Sequence, residues 1–326
     1  VSNDIDRDTC LQRSQFLGEC LSNIQRQTLN DFECLLVNDG STDSSLEICK
    51  ETAANDSRFK VVDQPNSGAA GARATGARAA TRRYVCFIDA DDIIHPEFLE
   101  TLLAASNDCP PGHIVSSEIC PYQDGERPAF SVSSGPNSRQ DRLSALSSLL
   151  YQKSVNGVVA KLYPRVLISE SDFRGDVVIG EDLIQNLESV KRAEGIVSEA
   201  SRLYAYRLHA SSSIRNASAE SHVKLLCYLE EQKSELPELR NALDNRIFAE
   251  SMFATLETDF MKNHKRGSSL TGKLISNIER TRKVVVKDPD SRYEYRLLAA
   301  ASFVHPLLPR FLMTLRSSLR RSPGGI

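Results

Sequence analysis

The stretch YVCFIDADD (Tyr84–Asp92) decides the fold. Five apolar or aromatic residues run without a polar break, as in a strand buried on both faces, and lead directly into Asp89, Asp91 and Asp92. Carboxylates packed so closely repel one another unless a cation neutralises them. Hard oxygens in this arrangement suit Mg²⁺ or Mn²⁺ with a diphosphate supplying further ligands; the competing reading is a solvated turn. Outward from this segment, FECLLV (Phe32–Val37) and FKVVD (Phe59–Asp63) read as two more short strands. Helical spacing surrounds them. Leu17, Leu21 and Ile24 form one stripe, and Leu46, Cys49 and Ala53 form another behind a cap at Asp43 or Ser44. A Gly/Ala helix is expected from about Ala69 to Arg82, and a further helix after Pro96 carries Leu99, Leu102 and Leu103. Strands alternating with helices over short connections predict an α/β fold, with a mostly parallel sheet covered by helices on both faces.

In an open parallel sheet, ligands bind beyond the carboxyl ends of the strands, so polar residues there matter most. NDGSTD (Asn38–Asp43) follows the first readable strand; on its own it also reads as an Asp-Gly turn feeding a helix cap. NSGAAGARATG (Asn66–Gly76) opens the Gly/Ala helix, whose start suits an anion. Gly71 and Gly76 have the spacing of a phosphate-binding P-loop, but Ala77-Arg78 follow where Lys-Ser/Thr is required, which excludes one. Gly180-Glu181-Asp182 opens a helix with Leu183, Leu187 and Val190 on one face, where the helix dipole alone would also favour acids.

Residues 107–140 are rich in Pro, Gly and Ser and read as loop with one or two short strands, His113–Ser117 foremost. A helix around Arg142–Gln152 follows, and from Ala219 the chain turns helical, with breaks at Pro237, Gly267 and Pro289. Forty Lys and Arg against 43 Asp and Glu give a net charge of −3, too balanced for a protein that coats nucleic acid. No apolar run approaches the ~18 residues of a membrane span. The opening Asp4, Asp6, Arg7 and Asp8 are unlike a secretory signal. Eight cysteines include no CxxC pair, and Cys34 and Cys86 lie within apolar runs, as small buried hydrophobes in a reducing compartment would. The expected location is cytoplasmic.

Taken together, NDGSTD, NSGAAGARATG, YVCFIDADD, KLYPRVLI (Lys161–Ile168), GEDLIQNLE (Gly180–Glu188) and YAYRLHASSSI (Tyr204–Ile214) resemble family 2 glycosyltransferases of the GT-A fold. The resemblance runs in family order over about residues 16–214. It implies a Rossmann-like catalytic domain over 1–215 and a helical C-terminal region over 216–326. It also implies nucleotide-sugar binding by Asp39, Ser41, Asn66, Gly68, Arg73, Asp89 and Arg207, with Asp39 on the base or ribose and Arg207 near the diphosphate. Asp91 and Asp89 match the metal-binding pair for Mn²⁺ or Mg²⁺. His209 is a metal ligand, a phosphate contact or a supporting hydrogen-bond partner, and Asp182 is the general base with Glu181 beside it. The implied activity is inverting, metal-dependent transfer of a hexosyl or N-acetylhexosaminyl group. The donor would be a nucleotide-diphosphate sugar, with UDP-sugars foremost, and the acceptor a hydroxyl of a saccharide or lipid-linked molecule. The implied setting is synthesis of a bacterial cell-surface polysaccharide or lipopolysaccharide.

Two departures bear on this reading. Family members begin with a Val/Ile-rich strand, whereas NDIDRDTCLQRSQ (Asn3–Gln15) puts charge on both faces of a period-2 pattern and is expected not to form a buried parallel strand. Asn38-Asp39-Gly40-Ser41 is also one carboxylate short of the familiar Asp-Asp-Gly-Ser. A second reading is therefore a catalytically inactive, glycosyltransferase-like subunit that binds a partner through its helical tail. A third, a nucleotidyltransferase, leaves the GEDLIQNLE and YAYRLH blocks without a role. The tail interleaves Arg310, Arg316, Arg320 and Arg321 with Phe303, Leu307, Leu308, Phe311, Leu312 and Leu315. It reads either as a helix packed on the catalytic domain or as an amphipathic helix on the inner face of an anionic membrane.

Overall fold

The structure, a computed structural model, describes residues 2–5, 10–133, 138–208, 219–256, 269–309 and 311–313. The chain forms two compact units: residues 1–146, 156–175 and 181–215 make one, and 147–155, 176–180 and 216–326 the other. From the start of the chain run β1 (Ser2–Ile5), α1 (Cys10–Gln25), β2 (Cys34–Asp39), α2 (Ser45–Asn55), β3 (Phe59–Gln64) and α3 (Gly68–Ala79). Then come β4 (Tyr84–Val85), β5 (Phe87–Asp89), β6 (Ile93–Ile94), α4 (Phe98–Asn107), β7 (His113–Gln123) and β8 (Ser138–Asp141). α5 (Arg142–Leu150), β9 (Lys161–Pro164), α6 (Glu181–Arg192) and β10 (Gly195–Leu208) follow.

Strands β3, β2, β1 and β5 form a four-stranded parallel sheet in that order. The expectation that Asn3–Gln15 yields no such strand is overturned here. β1 lies between β2 and β5, with Ser2 opposite Leu35 and Phe87, and Asp4 opposite Val37 and Asp89. The strand uses only Ser2–Ile5, and α1 already begins at Cys10, so most of the charged run counted against a strand lies beyond it. A parallel ladder is built from backbone N–H and C=O groups, which any four non-proline residues supply. The reading as an inactive subunit rested on the loss of this strand.

A second sheet, in the order β4-β9-β7-β10-β6 with β8 also on β10, is mixed: only β7 and β10 run parallel within it. YVCFI, read as one strand, is two. Tyr84–Val85 pairs with β9 and Phe87–Asp89 with β1, and the chain changes sheet at Cys86. β7 is also longer than the composition of 107–140 predicts, because Pro110, Pro111, Gly112, Gly125 and Pro128 lie outside it and only Pro121 within it, while Ile114, Val115, Cys120 and Tyr122 are buried.

The core of the first unit joins Leu17, Leu21 and Ile24 of α1 and Phe98 and Leu102 of α4 to Leu36, Ile88 and Tyr204. Each such side chain contributes ~1.5–3 kcal/mol on burial. Parallel strands end at one edge, so this packing brings Asp39 and Asp89 out on the same side of the sheet. Cys34 and Cys86 are buried as expected, and burial pushes both thiols up to about 12.

The second unit includes α7 (Ala219–Glu235), α8 (Arg240–Leu256), α9 (Ser269–Lys287) and α10 (Tyr293–Ala301). Phe248, Met252, Ile278, Val285 and Ala299 make an apolar core there. Among the described residues no helix is long and apolar enough to cross a membrane. Arg310, Leu315, Arg316, Arg320 and Arg321 of the expected basic tail lie outside the described residues.

Candidate active site

Two groups of the expected site residues assemble at the carboxyl edge of the parallel sheet. The first surrounds the start of α3. Asp39, at the end of β2, is fully buried, and its Oδ1 accepts from the Ser67 backbone N–H at 2.8 Å, from Gln64 Nε2 at 2.7 Å and from Ser67 Oγ at 3.0 Å. Its Oδ2 accepts from the Gly68 N–H at 2.8 Å. The helix start that suits an external anion thus already holds the carboxylate of a neighbouring strand, placed where the free N–H groups and the dipole favour negative charge. Gly40 makes the approach possible: its φ is +72°, and a Cβ there would stand 2.9 Å from the backbone nitrogen of Asn66. Asn66 itself is exposed, and Ser41 is half-buried with its Oγ enclosed. Asp43 Oδ1 accepts from the Ser45 N–H at 3.1 Å, the cap expected for α2.

The second group centres on Arg73, carried by α3 and only 6% exposed. Its Nη1 donates to Asp182 Oδ1 at 2.6 Å and its Nη2 to Asp89 Oδ1 at 3.2 Å. One guanidinium therefore joins the end of β5 to the first turn of α6, segments far apart in sequence. Glu181 adjoins this pair. Burial, reinforced by the negative charge of Asp182, pushes its carboxyl up to about 7. Asp182 keeps 31% of its side chain exposed, so it remains open to a ligand while held by Arg73.

The acidic turn is fixed from below by residues that the sequence did not single out. Tyr204 of β10 donates its hydroxyl to Asp92 Oδ2 at 2.6 Å and accepts from the Asp89 N–H at 3.1 Å. Asp92 faces inward. Burial, and then the charges of Asp89 and Asp91, raise its carboxyl well above the usual range. Tyr206, half-buried, stands in the same negative field; burial first and then Asp92, Asp89 and Asp91 push its phenol up to about 12.

Arg207 is held by the residues around it. It is 4% exposed, with Nε donating to the Asp91 carbonyl at 2.7 Å, Nη1 to Asp124 at 2.7 Å and Nη2 to Glu19 at 2.6 Å. The Phe16 and Tyr122 rings lie 4.3 and 5.0 Å from its central carbon. With every guanidinium nitrogen engaged and both rings against it, Arg207 holds the Asp91 turn in place. His209 lies outside the described residues.

Lys161 of β9 is a further group missed from sequence. Burial lowers its amine to about 8, against the opposing pull of Asp182. The signal available was a lysine heading an otherwise apolar strand, KLYP. For Glu19 and Asp124, which meet only in the folded chain, no local signal exists.

Among the described residues no group of three or more His, Cys, Asp or Glu side chains is arranged to hold a metal ion alone. The residues present nonetheless fit a divalent cation shared with a ligand. The charges of Asp89 and Asp91 add to the burial that raises the Asp92 carboxyl, and both offer hard oxygen ligands. Mg²⁺ and Mn²⁺ sites commonly use one or two carboxylates, with substrate phosphates and water supplying the rest.

Residues 9–165 match the model of Glycosyl transferase family 2. EpsH of Bacillus subtilis (strain 168) is 28% identical over 251 residues, covering 74% of this chain and 73% of EpsH. The uncharacterized glycosyltransferase EpsJ of the same organism is 32% identical over 208 residues, 60% of this chain and 58% of EpsJ. Among solved structures, residues 1–349 of S. aureus TarS in complex with UDP-GlcNAc superpose with a TM-score of 0.67 at 16% identity, over 96% of this chain and 91% of that one. At that identity the likeness is one of fold.

Proposed function

Because the chain belongs to glycosyl transferase family 2, we propose that it is an inverting glycosyltransferase that takes a sugar from a nucleotide-diphosphate donor, UDP-sugars foremost, and places it on a hydroxyl of a saccharide or lipid-linked acceptor. The observation that carries this reading is the Arg73 bridge, which sets the Asp89 end of β5 against Asp182 at one sheet edge. Asp182 acts as the general base: its partly exposed carboxylate takes the acceptor proton as the acceptor oxygen bonds to the anomeric carbon. The bond from that carbon to the diphosphate breaks on the opposite face, and one displacement inverts the configuration. Glu181, whose carboxyl is pushed up to about 7 by burial and then by the charge of Asp182, lies beside the base in the first turn of α6. Asp91 and Asp89 would hold a divalent cation with the donor diphosphate. When bound there, Mn²⁺ or Mg²⁺ supplies positive charge to the departing diphosphate.

Asp39 fixes the start of α3, which in turn carries Arg73 into the site. Ser41, Asn66 and Gly68, close to that turn in sequence, are the residues we assign to the nucleotide-sugar. The UDP-GlcNAc bound to TarS makes this donor the first to try. The protein incubated with UDP-GlcNAc or other UDP-sugars and Mn²⁺ is expected to release UDP, and Asp91→Ala is expected to lose that release. No turnover of any nucleotide sugar, or an Asp91→Ala variant as active as wild type, would overturn the assignment.

The setting we propose is cell-surface polysaccharide synthesis, with the C-terminal region touching the inner face of the membrane. Tyr293, Leu297, Phe303 and Val304 are exposed apolar residues in that region, and after Glu294 the sequence carries Arg296, Arg310, Arg316, Arg320 and Arg321 without an acid. Flotation with vesicles containing phosphatidylglycerol, against neutral vesicles, tests this; equal absence from both would exclude it.

A further inference from the structure

The base proposed above sits on a buried polar framework that the chemistry so far leaves without a role. Lys161 and Tyr163 both belong to β9 and are 4% and 0% exposed. The Tyr163 hydroxyl donates to Asn186 Oδ1 on α6 at 2.8 Å. Asn186 Nδ2 reaches the carbonyls of Asn156 at 2.5 Å, Asp182 at 3.0 Å and Gly157 at 3.2 Å. Lys161 Nζ donates to the same Gly157 carbonyl. Strand, helix and the turn before β9 are thus tied together at the peptide of Asp182.

Burying an ammonium is unfavourable, and a methionine would fill much the same space without that cost. What the lysine supplies is positive potential beneath α6. The groups acting on it are Asp182 from α6 and the Cys86 thiol from the junction of β4 and β5. The same Asp182 carboxylate meets Arg73 from α3 and has Glu181 beside it.

We propose that Lys161 is a positioning residue for Asp182, supplying a buried positive charge beneath that carboxylate and, through the Gly157 carbonyl it shares with Asn186, fixing the first turn of α6 on β9. The proposal rests on Asp182 as the base. The buried lysine is bonded to the Gly157 carbonyl, so it acts on the base through this framework. Its amine, lowered to about 8, remains largely charged at neutral pH and can serve as the countercharge.

The test is NMR titration of protein labelled with ¹³Cε-lysine, with the Lys161 signal identified by its loss in Lys161→Met. That signal is expected to titrate near 8 in the wild type and about one unit lower in Asp182→Asn, where the facing negative charge is gone. Turnover of UDP-GlcNAc with Mn²⁺ supplies the second readout. Lys161→Met and Tyr163→Phe are each expected to lower kcat by ~10- to 100-fold with donor KM unchanged. A Lys161 titration unmoved in Asp182→Asn overturns the proposal, as does a kcat unchanged in both variants. Asp182→Asn turning over at the wild-type rate would instead overturn the base assignment, so the two failures are distinct. Should Lys161→Met not fold, Lys161→Arg, which keeps the charge, supplies the assignment by the loss of the same signal, and the titration shift in Asp182→Asn with the Tyr163→Phe kinetics then decides.

Discussion

Charged residues gather at both ends of the parallel sheet, and the two ends behave in opposite ways. At the amino end, Glu33 precedes β2 with its carboxylate buried. Its Oε1 accepts from the backbone N–H and hydroxyl of Thr81, both at 2.7 Å, and from the Arg82 N–H at 3.2 Å; Lys60 reaches Oε2 at 3.1 Å. Burial pushes this acid up, but the Thr81 donors and Lys60 outweigh it and bring its pKa down to about 2. Around it Arg58 pairs with Asp56 and lies over Phe32, and Arg82 meets Asp31. At the carboxyl end the shifts run the other way: Glu181 rises to about 7, Asp92 rises well above the usual range, and Lys161 falls to about 8. The amino end also has an opening, a cleft of about 440 Å³ lined by Glu33, Arg58, Lys60 and Arg82. A cleft lined by charge therefore does not by itself locate the chemistry. Charges are matched where they serve the fold and left unbalanced where a charged ligand is to complete them.

The sharpest way to break this comparison is at the base. Asp182→Asn preserves shape and a hydrogen bond to Arg73 while removing the proton acceptor. Its kcat is expected to fall by ~10²- to 10⁴-fold, with melting temperature little changed. Steady-state UDP release together with a thermal melt checks both halves. A variant that lost stability and kept its rate would place Asp182 with Glu33, as a fold-supporting carboxylate.

Much of this contrast was legible in the sequence. The strand ends at Asp39 and Asp89 follow from apolar runs stopped by polar residues, and the α6 start at Glu181 follows from an amphipathic stripe. What stayed hidden was of two kinds. Local pattern misled at β1, where four backbone-paired residues were judged by the charges that follow them, and at Cys86, where an unbroken apolar run conceals a change of sheet. Long-range partnership was invisible elsewhere. That Asp39 caps α3, or that Glu19 and Asp124 draw Arg207 under the Asp91 turn, depends on side chains that meet only after folding.

At the amino end the expected effect is on stability alone. Glu33→Ala leaves the Thr81 and Arg82 N–H groups and Lys60 without their acceptor and is expected to cost about 1–3 kcal/mol of unfolding free energy, with kcat unchanged. The sign with pH follows from the lowered pKa. The contribution is fully present above the ordinary value of 4.5 and is lost as pH falls toward about 2, so wild type and variant should converge in strong acid. Denaturant titration at neutral and acid pH measures it, and a lowered kcat would bring this end of the sheet into the function.

The smallest effect separates the two ends most directly, because it reverses the sign. Glu181 has its pKa raised from 4.5 to about 7, so between those values the folded chain holds a proton that the unfolded chain has released. Stability from this group is therefore greatest below 4.5, falls as pH rises to about 7 and stays low above it. Glu181→Gln, which cannot ionise, is expected to raise the melting temperature at pH values above about 7 and to leave it nearly unchanged below 4.5. Paired thermal melts on either side of that window check it. A variant less stable than wild type at alkaline pH would mean that the ionised Glu181 is satisfied in the fold as Glu33 is, and the distinction between the two ends of the sheet would then rest on Asp92 and Lys161 alone.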